Sequence, residues 1–270
     1  MDDLSDIREF YNAGWDAEDE RLTRHQLEAD LTWRYLDLYL PPQGRLLEVG
    51  FGTGSYTFAL ARRGYRMTSV DLAEEFAVRC KVRAESLGLA DRTDFRTGDA
   101  RTLEGVPRGG FDAVLLMGPL YHLVAETDRA MAVGSAFERL RPGGVVFSTM
   151  LSRFGIIGDL IRKNPAWIEN QEEVRSMISN GYRPDDAPRG GFRGYFVRYE
   201  EVAPLHERAG FHTLNIAGVE PAIASDDESY NRLKGEQREL WRNLLFEISE
   251  EQSIVASSRH ILYIGQKPAD

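Results

Sequence analysis

The sequence predicts a doubly wound α/β fold with a mostly parallel sheet, and three observations lead to it. Apolar, strand-like runs alternate with segments of helical period from residue 45 to residue 150. The first run passes directly into a glycine-rich turn and then a helix. The following runs close on Asp71, Asp99 and Gly118-Pro119, the residue types expected where parallel strands present their C-terminal ends to a ligand.

Taken in order, residues 1–44 read as helical, with Phe10, Tyr11 and Trp15 early, then Leu22, Leu27, Leu31, Trp33, Leu36 and Leu40, and Pro41-Pro42 as the stop. Leu46-Leu47-Glu48-Val49 is the first strand. Gly50-Phe51-Gly52-Thr53-Gly54 follows, and its alternate glycines let the backbone turn tightly and approach a ligand with no Cβ in the way. The helix over 55–63 turns its free N–H groups and positive dipole end toward that turn. Alone the pattern is unspecific, and it is not the Gly-x-Gly-x-x-Gly of dinucleotide-binding folds. The second strand, 66–70, ends at Asp71, placed to accept two hydrogen bonds from ribose hydroxyls. Strands over 93–98, 111–117 and 145–150 follow. Beyond them lie an insertion over 151–198, a helix near 200–209, a sixth strand over 211–216, a helical addition over 226–253 and a seventh strand over 261–265. Ser225 and Glu228 have capping-box spacing, and Tyr230, Leu233, Leu240, Trp241, Leu244, Leu245 and Ile248 recur on one side as a core-packing face.

These residues resemble a class I S-adenosylmethionine-dependent methyltransferase. Glu48 to Gly54 is similar to that family's cofactor turn, with an acidic residue two positions before the first glycine, although Phe51 stands where small or polar residues are common. Asp71 matches its ribose-binding acid, Gly98-Asp99-Ala100 its adenine-side loop, and Leu140-Arg141-Pro142-Gly143-Gly144 the helix-to-strand turn before the fifth strand. The resemblance implies a Rossmann-like, seven-stranded sheet in a single domain over 1–270, its last strand antiparallel beside the sixth. It implies an N-terminal segment, 1–44, folded over the cofactor, and additions that shape the substrate pocket. It also implies S-adenosyl-L-methionine contacts from Tyr11, Arg21, Glu48, Gly50, Gly52, Gly54, Asp71, Leu72, Asp99, Ala100, Met117 and Gly118. Gly118-Pro119-Leu120-Tyr121-His122-Leu123, with Tyr11-Asn12 and Glu20-Arg21-Leu22, resembles a branch of bacterial small-molecule methyltransferases, and the Asn/Asp-Pro-Pro-Tyr/Phe loop of nucleobase and glutamine methylation is missing.

Composition narrows the setting. The net charge is −10, with 33 basic against 43 acidic residues, which disfavours a long polynucleotide partner because such binding draws its affinity from Lys and Arg. Arg189-Gly190-Gly191-Phe192-Arg193-Gly194-Tyr195-Phe196 is superficially like an RNA-binding run, but it occurs once and reads as a loop entering an aromatic segment. No stretch has the length of uncharged apolar residues a bilayer span needs, the first residues are acidic where a signal peptide is basic, and one cysteine, Cys80, excludes an internal disulfide. A cytoplasmic protein is expected, with Cys80 in its core. His25, His206, His212 and His260 are scattered, no pair has metal-motif spacing, and no metal is expected.

The loop at 117–123 would face the transferable methyl group, as the resemblance implies. His122 is the candidate general base, or else a histidine that buttresses the loop. Tyr121 orients a substrate or packs, and Arg21 binds a carboxylate or is an exposed helix arginine. Glu48 fixes the glycine loop or the cofactor's amino end. The leading expectation is methyl transfer to oxygen, nitrogen or sulfur of a small molecule. The alternatives are an NAD(P)-dependent oxidoreductase, which could also use Asp71, and a non-catalytic S-adenosylmethionine-binding protein.

Overall fold

A computed structural model of the chain describes residues 1–183, 193–223 and 226–269. The chain opens with four helices, α1 (Ser5–Asn12), α2 (Trp15–Asp19), α3 (Arg21–Arg24) and α4 (Gln26–Tyr39). It then alternates through β1 (Arg45–Val49), α5 (Ser55–Arg62), β2 (Arg66–Asp71), α6 (Glu74–Ser86), β3 (Thr93–Thr97), β4 (Phe111–Met117), α7 (Glu126–Arg139) and β5 (Leu140–Leu151). The insertion holds α8 (Ile156–Lys163), α9 (Gln171–Asn180) and a two-stranded ribbon of β6 (Tyr182–Arg183) and β7 (Gly194–Tyr195). The chain finishes through α10 (Tyr199–Glu207), β8 (His212–Gly218), α11 (Asp227–Arg232), α12 (Gly235–Glu247), α13 (Gln252–Ser257) and β9 (His260–Gln266).

Seven strands form one sheet in the order β3-β2-β1-β4-β5-β9-β8. The pairings among the first five are parallel, and β9 runs antiparallel to both its neighbours. Side chains alternate across the sheet with the strand period of two. Leu46, Leu262 and Ile264 pack on one face with Leu31 and Tyr35 of α4, Phe58 of α5 and Phe76 of α6. Leu47, Val49, Ile261 and Tyr263 pack on the other with Val133 of α7, Val202 of α10 and Val255 of α13. Cys80 is fully buried in the first of these layers, as its helical spacing with Phe76 predicts.

Register decides what meets at the sheet's active edge. Val49 pairs with Val70 and Leu116, and Asp71 pairs with Thr97, so Gly50, Asp71, Gly98-Asp99 and Met117-Gly118 emerge side by side. Because β9 is reversed, its first residue pairs with the end of β5: His260 lies opposite Leu151. Glu220, two residues past the end of β8, reaches the same edge.

Three expectations need correction. The turn at 140–144 belongs to β5, where the partner of Phe111 is Leu140 and the partner of Ala113 is Val145, so the intervening residues bulge from the ladder with Gly143 at φ +75°. The helical addition over 226–253 is three helices rather than one, broken where Leu233 is extended and Gly235 takes φ +52°. The break resets the helical phase: Leu245 is buried and Phe246 packs on Tyr35 at 4.8 Å between centroids, whereas Leu240, Trp241 and Leu244 are 63%, 47% and 46% exposed. The third concerns the pocket. Among the described residues, neither the insertion nor α11 to α13 lines it. Ser225 and residues 184–192, with most of the arginine-glycine run, lie outside the described residues; α11 is capped by Asp226, whose carboxylate accepts from the Ser229 N–H at 3.1 Å.

Candidate active site

At the C-terminal ends of β1, β2 and β4 the N-terminal helices roof a cavity with about 1150 Å³ of empty space, its mouth included. Every residue expected to touch the cofactor lines it except Gly54. Gly54 sits behind the wall as the left-handed cap of α5, where an added Cβ would lie 2.7 Å from the Phe58 ring. Gly50 makes the sharp departure from β1: its φ is +82°, and a Cβ there would strike Pro119 Cδ at 2.6 Å and the Met117 carbonyl at 2.9 Å. Gly52 has no such neighbour; a Cβ would meet only Glu18, its Cγ at 3.4 Å, so the turn stays open toward the cavity.

The two acids of this edge are held differently. Asp71 accepts the Gly52 and Ala73 N–H groups at 2.9 Å each, one on each oxygen. A carboxylate has about four lone-pair sites, so acceptor capacity remains for a ribose hydroxyl. Burial pushes its carboxyl up to about 6, against the opposing pull of those two N–H groups. Glu48 is more extreme: burial drives it up to about 8 although the Thr57 hydroxyl donates to it. Thr57 also shares a 2.7 Å hydrogen bond with Ser69, so Glu48 ties β1 to α5 and β2. Asp99 is clasped by Arg101, whose Nε and Nη2 lie 3.0 and 2.6 Å from its Oδ2 and whose Nη1 lies 2.6 Å from Asp128.

Tyr11 and His122 form a pair from opposite sides of the cavity, hydroxyl to Nε2 at 2.7 Å. Burial, with the Arg193 charge, pulls His122 down to about 3. The ring is therefore held neutral and is a weak proton acceptor in this setting, and its contact with Tyr11 is that of the buttressing alternative. Burial raises both the Tyr11 and Tyr121 hydroxyls, so each serves as a neutral donor.

Arg21 is gripped by Glu18 at 3.0 Å through Nε and by both Glu28 oxygens at 2.9 and 2.8 Å through Nη1. Arg21 thus lines the cavity as a cation held in place by two carboxylates. Burial alone would raise Glu28, but Arg21, His260 and Arg259 outweigh it and hold it down at about 2. Glu28 leads to a group that the spacing of histidines along the chain conceals. His260 Nδ1 is 2.8 Å from Glu220 Oε2 and 3.7 Å from Glu28, Glu220 pairs with Arg259, and Arg259 reaches Asp159 at 2.9 Å and His25 at 2.8 Å. His25 and His260, far apart in sequence, thus join one buried network. His25–Glu220–Asp227 and Glu28–Glu220–His260 each place three donor atoms within 4.8 Å of one another, yet their carboxylates are already matched by Arg21 and Arg259. His206 is structural, bonded to Ser148 at 2.7 Å and stacked on Tyr263.

These features suit S-adenosylmethionine: an open glycine turn, an acid with spare acceptors for a ribose, and an arginine cation for a carboxylate, all on one cavity. A family model described as a methyltransferase domain matches residues 46–144. A ubiquinone biosynthesis O-methyltransferase of Xanthomonas axonopodis pv. citri (strain 306) is 32% identical over 153 residues, 56% of this chain and 61% of that protein. One from Xylella fastidiosa (strain 9a5c) is 26% identical over 218 residues, 80% of each chain. This chain thus spans 61% of the length of the first relative. In fold it is similar to the crystal structure of a SAM-dependent methyltransferase from Methanosarcina mazei, with a TM-score of 0.60, 18% identity, and coverage of 87% of this chain and 98% of that one. Family model, relatives and strand order agree in supporting a class I S-adenosylmethionine-dependent methyltransferase, the family this chain resembles.

Proposed function

We propose that this chain transfers a methyl group from S-adenosylmethionine to an oxygen atom of a small-molecule acceptor, by in-line displacement. The supporting observation is the continuity of the cavity. One cavity is lined by the glycine turn, Asp71, Gly118 and Tyr121 and also by Tyr56, Thr149 and His260. A donor held at the first group of residues would leave the second group for an acceptor in the same cavity. Oxygen is favoured because the relatives are named O-methyltransferases. A small acceptor suits an enclosed cavity and a net charge of −10.

When bound, S-adenosylmethionine supplies a methyl carbon made electrophilic by its sulfonium. The protein's part is to align the acceptor oxygen, exclude water and receive a proton. Alignment alone lowers such a barrier by roughly 7–11 kcal/mol. Asp71 and the glycine turn fix the nucleoside end, and Arg21 fixes the carboxylate end. Tyr11, Phe76, Leu4 and Ile7 close the roof with apolar surface, and a dry site strengthens every charge interaction inside it.

Calorimetry and label transfer test this reading. S-adenosylhomocysteine should saturate one site, NADH should give no binding heat, and label from methyl-tritiated S-adenosylmethionine should enter hydroxyl-bearing acceptors rather than amines. Binding of NADH at the same site, or transfer only to amines, would reject it.

A further inference from the structure

We propose that His260, oriented by Glu220, is the general base that takes the acceptor's proton, and that the acceptor group is accordingly an ionisable hydroxyl of the phenol or enol kind. The proposal rests on the methyltransferase reading above and names the proton acceptor that reading lacks.

The topology supplies the first argument. An antiparallel β9 inserted beside β5 brings its N-terminal end, and so His260, to the edge where the parallel strands end. There His260 lines the cavity with Thr149 and Tyr121, its ring 6.4 Å from that of Tyr121 between centroids. The second argument is the tautomer. Glu220 Oε2 lies 2.8 Å from His260 Nδ1 and also accepts the His260 backbone N–H at 3.0 Å, so ring and main chain are fixed by one oxygen. With Nδ1–H donating to the carboxylate, Nε2 keeps its lone pair. Glu220 is 1% exposed and is locked in turn by Arg259, which Asp159 holds from its other side. This is a base with an orienting carboxylate behind it, the arrangement by which an imidazole accepts a proton and is stabilised as the cation. Glu28, 3.7 Å from Nδ1, adds a second negative charge to that stabilisation.

The step balances. The acceptor O–H proton moves to Nε2, the oxygen electron pair forms the bond to the methyl carbon, and the carbon–sulfur pair returns to sulfur, leaving a neutral thioether and an imidazolium beside Glu220. An acceptor hydroxyl that ionises readily is the one a histidine deprotonates, and the Tyr56 and Tyr121 rings, which line the cavity with His260, offer a planar acceptor its walls.

The test uses 4-nitrocatechol, whose absorbance reports its ionisation, added to the S-adenosylhomocysteine-saturated protein at a pH where the free probe is un-ionised. The wild type should bind it with the band of the ionised ring. His260→Gln should bind S-adenosylhomocysteine as the wild type does, which shows that the fold survives, and should lose the ionised band. Glu220→Gln, which keeps an oxygen for Nδ1–H but removes the charge, should lose most of it. A merely structural role for either residue would leave the band in place. A wild type that binds the probe un-ionised or not at all, or a His260→Gln protein that still ionises it, overturns the proposal. Absence of S-adenosylhomocysteine binding to the wild type would instead reject the methyltransferase reading itself.

Discussion

Glu48 and Asp71 sit at adjacent strand ends, and burial pushes both carboxyls up, to about 8 and about 6 from ordinary values of 4.5 and 3.8. Groups raised in the folded state favour folding below their unfolded values, and that contribution is lost as pH rises through the folded values. Stability without ligand should therefore decline from about pH 4 to about pH 8. Glu48→Gln keeps the acceptor for Thr57 and has nothing to ionise, so its Tm should exceed that of the wild type by a margin that grows between about pH 5 and about pH 8.5. Scanning calorimetry of both proteins at the two pH values decides it; a constant margin would mean that Glu48 does not titrate in this range. His122 makes the complementary case. Pulled down to about 3 by burial, it stays neutral over this range, so Tyr11→Phe should weaken S-adenosylhomocysteine binding by the loss of one neutral hydrogen bond, about 0.5–1.5 kcal/mol, with no dependence on pH from about 6 to about 8.

At the scale of elements, the glycine turn does two jobs with two glycines. Gly50 lets the chain bend against Pro119 and Met117, and Gly52 leaves room for a ligand. Gly50→Ala should cost about 1–3 kcal/mol in backbone strain plus the displacement of Pro119, and should abolish S-adenosylhomocysteine binding. Gly64→Ala is the control, since Gly64 also has a positive φ, +103°, with nothing within 4 Å of its Cβ. It should lower Tm less and leave binding intact; equal effects in thermal melts and titrations would show that strain alone matters. The turn, β1, β4 and β5 are legible in the sequence because a strand buried on both faces reads as an apolar run, and β2 and the edge strand β3, which are more polar, are legible from the acids that follow them at the ligand edge, Asp71 and Asp99. The direction of β9 is legible through the family resemblance, but its consequence emerges only with the register: a reversed strand delivers its first residue to the active edge, which singles out His260 from the other histidines. The division of the 226–253 addition is hidden because one apolar stripe appears to continue across Leu233-Lys234, and the sequence does not show that Gly235 restarts the helix in a new phase. The pocket walls are hidden for a related reason. Whether an insertion covers a site or props it from behind depends on long-range pairs such as Arg193 with Asp6, which no local pattern encodes.

For the molecule as a whole, the roof is held more weakly than the sheet it covers. Leu4 and Ile7 plug the cavity with two buried side chains. Tyr11 and Trp15 set their rings against Phe76 at 6.1 and 5.7 Å between centroids, and polar ties add to this: the Asp2 N–H to Asp128 at 2.9 Å, Arg101 to the Asp2 carbonyl at 2.8 Å, Arg193 to Asp6 at 2.8 Å, Arg83 to Asp19 at 2.7 Å, and Tyr11 to His122. Of these, Arg83 with Asp19 is exposed on both sides and contributes about 0–1 kcal/mol, whereas the sheet is buried between two apolar layers. Local opening of residues 1–24 should therefore need far less free energy than global unfolding, and a ligand that touches both roof and sheet should suppress it by mass action. Limited proteolysis resolves the two. Cleavage should begin within residues 1–24, leave a folded fragment carrying the sheet, slow as S-adenosylhomocysteine is raised past its Kd, and quicken with salt as the exposed pairs are screened. First cuts in the β1 to β5 region, or a cleavage rate indifferent to S-adenosylhomocysteine, would mean that the roof and the sheet open as one unit and that donor binding does not draw on the N-terminal helices.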